Sequence, residues 1–280
     1  MWMLLTLFYG LAKGAREIVK KKAMTKNTVM EVLLAYTFLS FIMVLPQVPM
    51  AGGLETRFYF WIALKSFCIF LAWIFSFRAL KSMPVSLYGI LDLSRVLFAT
   101  CLGIVVLHEI MKPGQVAGLI LVSLGLLMLK FKPGNKSESE GVKPIYVVAA
   151  FASCMLNAVS GLMDKILMKD VTSEQLQVWY MLFLVGYYLI YVIVTKTKIS
   201  KSVIKNGWIW LLAILFVLAD KALFEANAVK ESKVTVMTLI KQSGCIVTII
   251  GGKMIFKEKN VRYKLICAAV IIAGIFVAIL

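Results

Sequence analysis

The chain has 280 residues, of which 61% are hydrophobic, and a formal charge of +17 from 31 Lys and Arg against 14 Asp and Glu. Soluble domains run nearer ~45–50% apolar, so composition excludes an ordinary soluble protein and points to a polytopic membrane protein. The basic residues sit mostly in short loops between apolar runs, where they orient helices in a bilayer; with no arginine–aromatic surface, nucleic acid is not an expected partner.

The first apolar stretch, 2–20, is interrupted by Lys13, Arg16 and Glu17 and lacks a basic leader, so it reads as a polar first helix and not as a cleavable signal. Further helices are expected over 29–46, 58–79, 85–108 and 113–131, then over 145–168, 174–195, 208–228, 234–257 and 263–280. Each is close to the ~17–25 residues that cross the hydrocarbon. The segment 132–144 is a Pro-, Gly- and Ser-containing charged linker. It divides the chain into 1–131 and 145–280.

The cysteines, Cys68, Cys101, Cys154, Cys245 and Cys267, lie inside apolar runs without CxxC spacing and read as packing residues. His108 is the single histidine. No metal and no cofactor are expected.

The two halves repeat each other. Residues 79–130 align without a gap on residues 228–279, a shift of 149. Ala79, Lys81, Val85, Ser94, Gly103, Glu109 and Gly125 meet Ala228, Lys230, Val234, Ser243, Gly252, Glu258 and Gly274. Two tandem copies with five crossings each must lie in opposite orientations, and equivalent loops do swap their charge. The first loop holds Lys20, Lys21, Lys22 and Lys26, whereas its counterpart dilutes two lysines with Asp164, Asp170 and Glu174. The second has only Arg57 against Lys196, Lys198, Lys201 and Lys205, and the fourth Lys112 against Lys257, Lys259, Arg262 and Lys264. The rich loops belong in the cytoplasm, which puts both termini outside.

The stretches ALKSMPVSLYGILDLSRVLFATCLGIVVLHE and AVKESKVTVMTLIKQSGCIVTIIGGKMIFKEKN resemble the paired signature of the EamA-type drug/metabolite transporter superfamily. The resemblance covers almost the whole chain. It implies an all-α polytopic fold of ten transmembrane helices in two inverted five-helix repeats, a central cavity and alternating access. Members carry amino acids, sugars, nucleotide sugars, phosphorylated metabolites or cationic compounds. Relatives are often drawn with both termini in the cytoplasm, against the loop count. His108 and Lys257 stand where the family usually has glycine before Glu109 and Glu258.

Ionisable groups deep in a membrane helix cost roughly 2.5–3.5 kcal/mol each on insertion scales, so they face a cavity or one another. The candidates are Lys65, Asp92, Arg95, Asp220, Lys221 and Lys241. Asp92 and Arg95 share a helix face with Tyr88. The repeat shift lays Asp92 on Lys241, so the two are expected to pair across the cavity, with Gln242 adding an amide. That pair either contacts solute or a coupling proton, Asp92 first, or only pins two helices. Lys65 needs a partner on another helix, Asp92 or Asp220. Asp220 and Lys221 are adjacent and point about 100° apart. Lys13 and Glu17 are spaced to pair with each other. Asn157 and Ser160 mark the middle of the sixth helix, with Asp164 near its solvated end. Trp73 is the expected cavity wall. Glu109 and Glu258 are expected to complement the N-terminus of the helix that follows each. Gly114 with Gly118, and Ala269 with Ala273, predict close packing of the fifth and tenth helices, within the monomer or in a homodimer.

HExxH, GxSxG, P-loop and DxD patterns are missing, so an enzyme or an ATP-driven pump is not expected. Interior bases outnumber interior acids. The favoured function is secondary transport of a small polar metabolite bearing a carboxylate or phosphate, amino acids included, by proton coupling or exchange. The alternatives are a carrier of organic cations or lipid-linked sugars, and a non-transporting scaffold. The expected setting is the cell membrane, with lipids around a multi-pass chain.

Overall fold

The structure is a computed structural model that describes residues 2–107, 113–130, 142–229 and 240–279. Among these, eleven helices follow one another: α1 Trp2–Ala23, α2 Val29–Val44, α3 Thr56–Ser82, α4 Val85–Asp92, α5 Arg95–Leu107, α6 Pro113–Lys130, α7 Pro144–Leu167, α8 Ser173–Val194, α9 Gly207–Ala228, α10 Ser243–Phe256 and α11 Val261–Ile279. Short 3₁₀ turns cover Leu45–Met50 and Lys201–Lys205. Four spans, Val29–Met50, Thr56–Ser82, Pro144–Asp164 and Ser173–Val194, are long and apolar enough to cross a membrane. His108, Glu109, Lys112, residues 131–141 of the linker and the 234–239 start of the ninth expected helix lie outside the described residues.

Helix starts follow local chemistry. Thr28 and Glu31 form a capping box at α2, and Thr172 and Gln175 form one at the equivalent α8. Each box satisfies backbone donors that a helix start leaves open. Both also reach across the bundle. The Glu31 carboxylate accepts from the Ser200 backbone N–H at 2.9 Å, and Gln175 Nε2 donates to the Gly52 carbonyl at 2.8 Å.

One expected helix is broken. The run 85–108 divides into α4 and α5 at Leu93–Ser94, where backbone bonds tighten to the i→i+3 pattern. Such tight turns inside a helix often mark a functional hinge. The second copy is interrupted at the same register: a turn at Gln242 precedes α10. Asp92 and Lys241 stand just before the two breaks. All eight residues of α4 are buried, so its polar groups find partners inside the protein.

The packing is reciprocal. α1 lies on α9 as α3 lies on α7, and α2 meets α9 as α8 meets α3. α1 meets α10 as α7 meets α4 and α5, while α2 packs on α8, α4 on α10 and α6 on α11. Exchanging the halves maps each of these contacts onto another of the set or, for α2–α8, α4–α10 and α6–α11, onto itself. The main apolar core joins α2, α3, α8 and α9 around Tyr36, Phe77 and Phe216; a smaller one joins α4, α6, α10 and α11 through Ile90, Val122, Ile249 and Ile271.

One end of the bundle is stitched between the halves: Asn206 Nδ2 donates to Asn27 Oδ1 at 2.7 Å and to the Ala23 carbonyl at 3.2 Å. Within the first half, Lys81 donates to the Asn27 carbonyl at 3.2 Å and Lys21 to the Met83 carbonyl. Glu258 does complement a helix N-terminus, but it is that of α4 and not of the following α11. It accepts from the Val85 N–H at 2.6 Å and from Ser86, and it pairs with Lys264 at 3.2 Å. The reason is packing: α10 runs along α4, which brings its end to the open donors of the other half.

The small residues of α6 and α11 serve contact inside the monomer. A Cβ at Gly274 would sit 2.8 Å from both the Leu121 Cβ and the Val122 backbone nitrogen, and 2.9 Å from the Gly118 carbonyl. Gly161 on α7 has open space around it. Gly274→Ala is therefore expected to cost about 1–3 kcal/mol by overpacking. Gly161→Ala should leave the detergent melting curve unchanged, so the two variants together check the close approach.

Candidate functional site

α1 organises the polar interior. Lys13, Arg16, Glu17 and Lys20 recur at helical spacing and form one stripe. α1 can carry it against the second half because its backbone approaches α10 closely: a Cβ at Gly14 would lie 2.9 Å from the Gly244 Cα. Lys13 Nζ reaches Asp92 Oδ2 at 2.7 Å, and Lys20 Nζ reaches Glu17 Oε1 at 2.7 Å. The expected Lys13–Glu17 pair is thus replaced by two others. Each carboxylate takes the ammonium that packing presents, and sequence spacing alone does not rank them.

Asp92 is clasped twice. Arg95 Nη2 donates to Oδ1 at 2.8 Å while Lys13 holds Oδ2. Cys154 Sγ, 3.8 Å from Oδ1, donates more weakly. The expected Asp92–Lys241 pair does not form, because α1 supplies the cation first. Both residues nevertheless line one narrow cleft, partly open to solvent, together with Lys13, Glu17, Gln242 and Thr248. It lies between α1, α4 and α10, where the two halves meet. Lys241 has no carboxylate of the described residues within 4.0 Å. Its charged neighbours include Lys13 and Arg95 and, more weakly, the acid Asp164, and its ammonium lies 5.8 Å from the Tyr9 ring centre. Glu17 keeps a buried Oε2 without a hydrogen-bond partner.

A second polar cluster lies beside the first. Lys65 pairs with Asp164 Oδ1 at 2.8 Å, not with Asp92 or Asp220. α3 packs along α7, so the nearest acid is the one near the end of α7. The Lys65 ammonium also sits 4.1 Å from the Tyr180 ring centre. Tyr180 donates its hydroxyl to Asp220 Oδ2 at 3.2 Å, and Arg16 Nη1 meets Asp220 Oδ1 at 3.4 Å. Tyr180 and Asp164 were not among the sequence candidates; the Lys65 mid-helix charge signalled that such a partner must exist.

The other candidates are placed elsewhere. Lys221 is exposed on α9 and points away from buried surroundings, as its neighbour Asp220 points inward. Asn157 donates to the Ser153 carbonyl of its own helix at 2.8 Å. Tyr88 is fully buried and shares a 2.6 Å hydrogen bond with Ser76 Oγ. Trp73 packs 5.4 Å from both Tyr36 and Phe216, beside the Arg16–Asp220 pair and not on the Asp92 cleft.

Breaking a buried ion pair by removing one partner costs roughly 3–5 kcal/mol, because the other charge stays buried. Asp92→Asn leaves both Lys13 and Arg95 without a carboxylate and should lower the melting temperature of the purified protein. Adding Lys13→Met should recover part of that loss, and a double-mutant cycle measures the coupling.

The sequence matches the model of the EamA-like transporter family over residues 1–131 and again over 144–280. No curated protein matches the chain. A solved crystal structure, described only as that of a protein, is 17% identical, covers 98% of this chain and 96% of its own, and superposes with a TM-score of 0.64. At that identity the likeness speaks for the fold alone. The family match covers both halves, so the chain belongs to the EamA-like transporter family and is a multi-pass membrane protein of the kind that moves small solutes across membranes.

Proposed function

We propose that the protein is a secondary transporter for a small solute bearing a carboxylate or phosphate, working by alternating access. Its two halves, 1–131 and 145–280, are taken as inverted five-helix repeats joined by 132–144. The reciprocal packing supports this, as does the exchange of loop charge between equivalent loops. Solute binds between the repeats, in the cleft of Lys13, Asp92, Lys241 and Gln242.

The observation that carries the anionic reading is Lys241. An ammonium half-buried in a membrane protein with no carboxylate of the described residues within 4.0 Å is costly, and a bound anion offsets that cost. Lys13 and Arg95 stand nearby, and together they outnumber Asp92. Glu17 is engaged by Lys20. A solute carboxylate or phosphate placed at Lys241 would complete the charge balance, and Gln242 would supply amide hydrogen bonds. Because α1 and α10 carry cleft groups from opposite halves, a bound solute ties the halves together. It can shift the access equilibrium only by its difference in affinity between the two states.

A cation carrier fits less well. Of the two acids in the cleft lining, Asp92 already holds two cations at 2.7 and 2.8 Å and Glu17 holds one at 2.7 Å.

The experiment is a thermal-shift screen of the purified protein with amino acids, organic acids, sugar phosphates, nucleotide sugars and quaternary amines. A solute at ~100 times its dissociation constant stabilises by about 2.7 kcal/mol. An anionic or zwitterionic solute is expected to raise the melt, and Lys241→Met to abolish that rise while keeping the melt of the empty protein. A shift with quaternary amines alone would contradict the proposal.

A further inference from the structure

Asp92 is a buried carboxylate and Asp220 a partly buried one, its side chain 16% exposed, and they are held very differently. Asp92 has cations at 2.7 and 2.8 Å, the short range of charge-assisted hydrogen bonds. Asp220 has one cation, Arg16, at 3.4 Å and one neutral donor, Tyr180, at 3.2 Å. A carboxylate in low dielectric with such loose compensation is the easier one to neutralise with a proton. Its side chain also keeps some exposure of its own. Asp164 is about a third exposed at the end of α7, and from it Lys65, Tyr180 and Asp220 follow one another inward in contact.

Every element around Asp220 brings a group to it. α1 brings Arg16, with Tyr9 and Glu17 acting on that guanidinium. α2 brings Tyr36, α8 Tyr180 and α3 Lys65. Only Arg16 and Lys65 carry positive charge, and Lys65 is already matched by Asp164.

Arg16 can survive the loss of its partner. Its guanidinium lies 5.1 Å from the Phe216 ring centre and 5.9 Å from that of Tyr9, where cation–π attraction holds it. Its buried Nε has no acceptor, and the neighbouring Glu17 has a buried Oε2 with no donor. Glu17 lines the solute cleft. An unmatched donor and an unmatched acceptor therefore stand on adjacent residues, one facing the acid and one facing the cleft.

We infer that Asp220 is a proton-binding site, separate from the solute cleft, and that its protonation releases Arg16 from its ion pair. The step is a plain protonation. The Asp220 carboxylate takes a proton from water, becomes a neutral carboxyl, and keeps its hydrogen bond to the Tyr180 hydroxyl. Arg16 retains its charge and its contacts with the Phe216 and Tyr9 rings. The reverse step returns the proton to water. The change removes a negative charge beside Arg16, whose chain neighbour Glu17 lines the anion cleft, so proton and anion favour the same state. That consequence rests on the transport reading; the protonation itself does not.

The test is an infrared pH titration of the solute-free protein in lipid nanodiscs, reading the protonated-carboxyl band. The wild type and Asp92→Asn are expected to gain a carboxyl band as the pH falls that Asp220→Asn lacks. Asp220→Glu serves if Asp220→Asn fails to fold: the band should persist but move in frequency. An unchanged band in both Asp220 variants, or its loss in Asp92→Asn, would overturn the inference. Because no solute is present, the result stands apart from the Lys241 melting experiment.

Discussion

A charge inside a membrane protein must be matched or hydrated, and this fold is arranged around that requirement. Asp92 receives Lys13 from α1 and Arg95 from the start of α5. The clasp fixes α1 against α4 within the first half, while the small residues Gly14 and Gly244 let α1 lie directly on α10 of the second. The break between α4 and α5 places Arg95 beside Asp92, and the matching break at Gln242 places Lys241 at the opposite wall. Where matching stops, at Lys241, the structure leaves an ammonium facing a cleft. Function is proposed at that mismatch.

The stitched end gives the arrangement a direction. Asn27, Glu31 and Glu258 draw donors from the other half at one end of the bundle. At the other end Asp164 is partly exposed and begins the polar path to Asp220. One end is thus tied shut between the halves, while the other presents a partly exposed acid. The interruptions at Leu93–Ser94 and Gln242 offer hinges at the level of the cleft, since tightened turns absorb bending more readily than a continuous helix.

Much of this was legible in the sequence because it is local or repeated. Helix spans follow apolar run length, and the 149-residue shift placed Asp92 opposite Lys241 before any coordinates did. The capping boxes at Thr28 and Thr172 are readable from spacing. Partner choice was not legible. Lys13 lies four residues from Glu17 but bonds Asp92, and Lys65 bonds Asp164 a hundred residues away. These choices depend on which helices touch, and apolar helices carry little side-chain code for that. The split of the fourth helix was hidden too, since Leu93 and Ser94 are neither proline nor glycine. Glu258 shows the intermediate case: its taste for a helix N-terminus was readable, but which N-terminus was decided by packing.

The central claim is that the unmatched Lys241 ammonium takes the anionic group of a transported solute. Flux of a labelled anionic solute into liposomes holding the purified protein tests it most directly. The account predicts flux in the wild type, a reduced but measurable rate in Lys241→Arg, and no flux in Lys241→Met that still reconstitutes as a folded protein. Undiminished anion flux in Lys241→Met would contradict it.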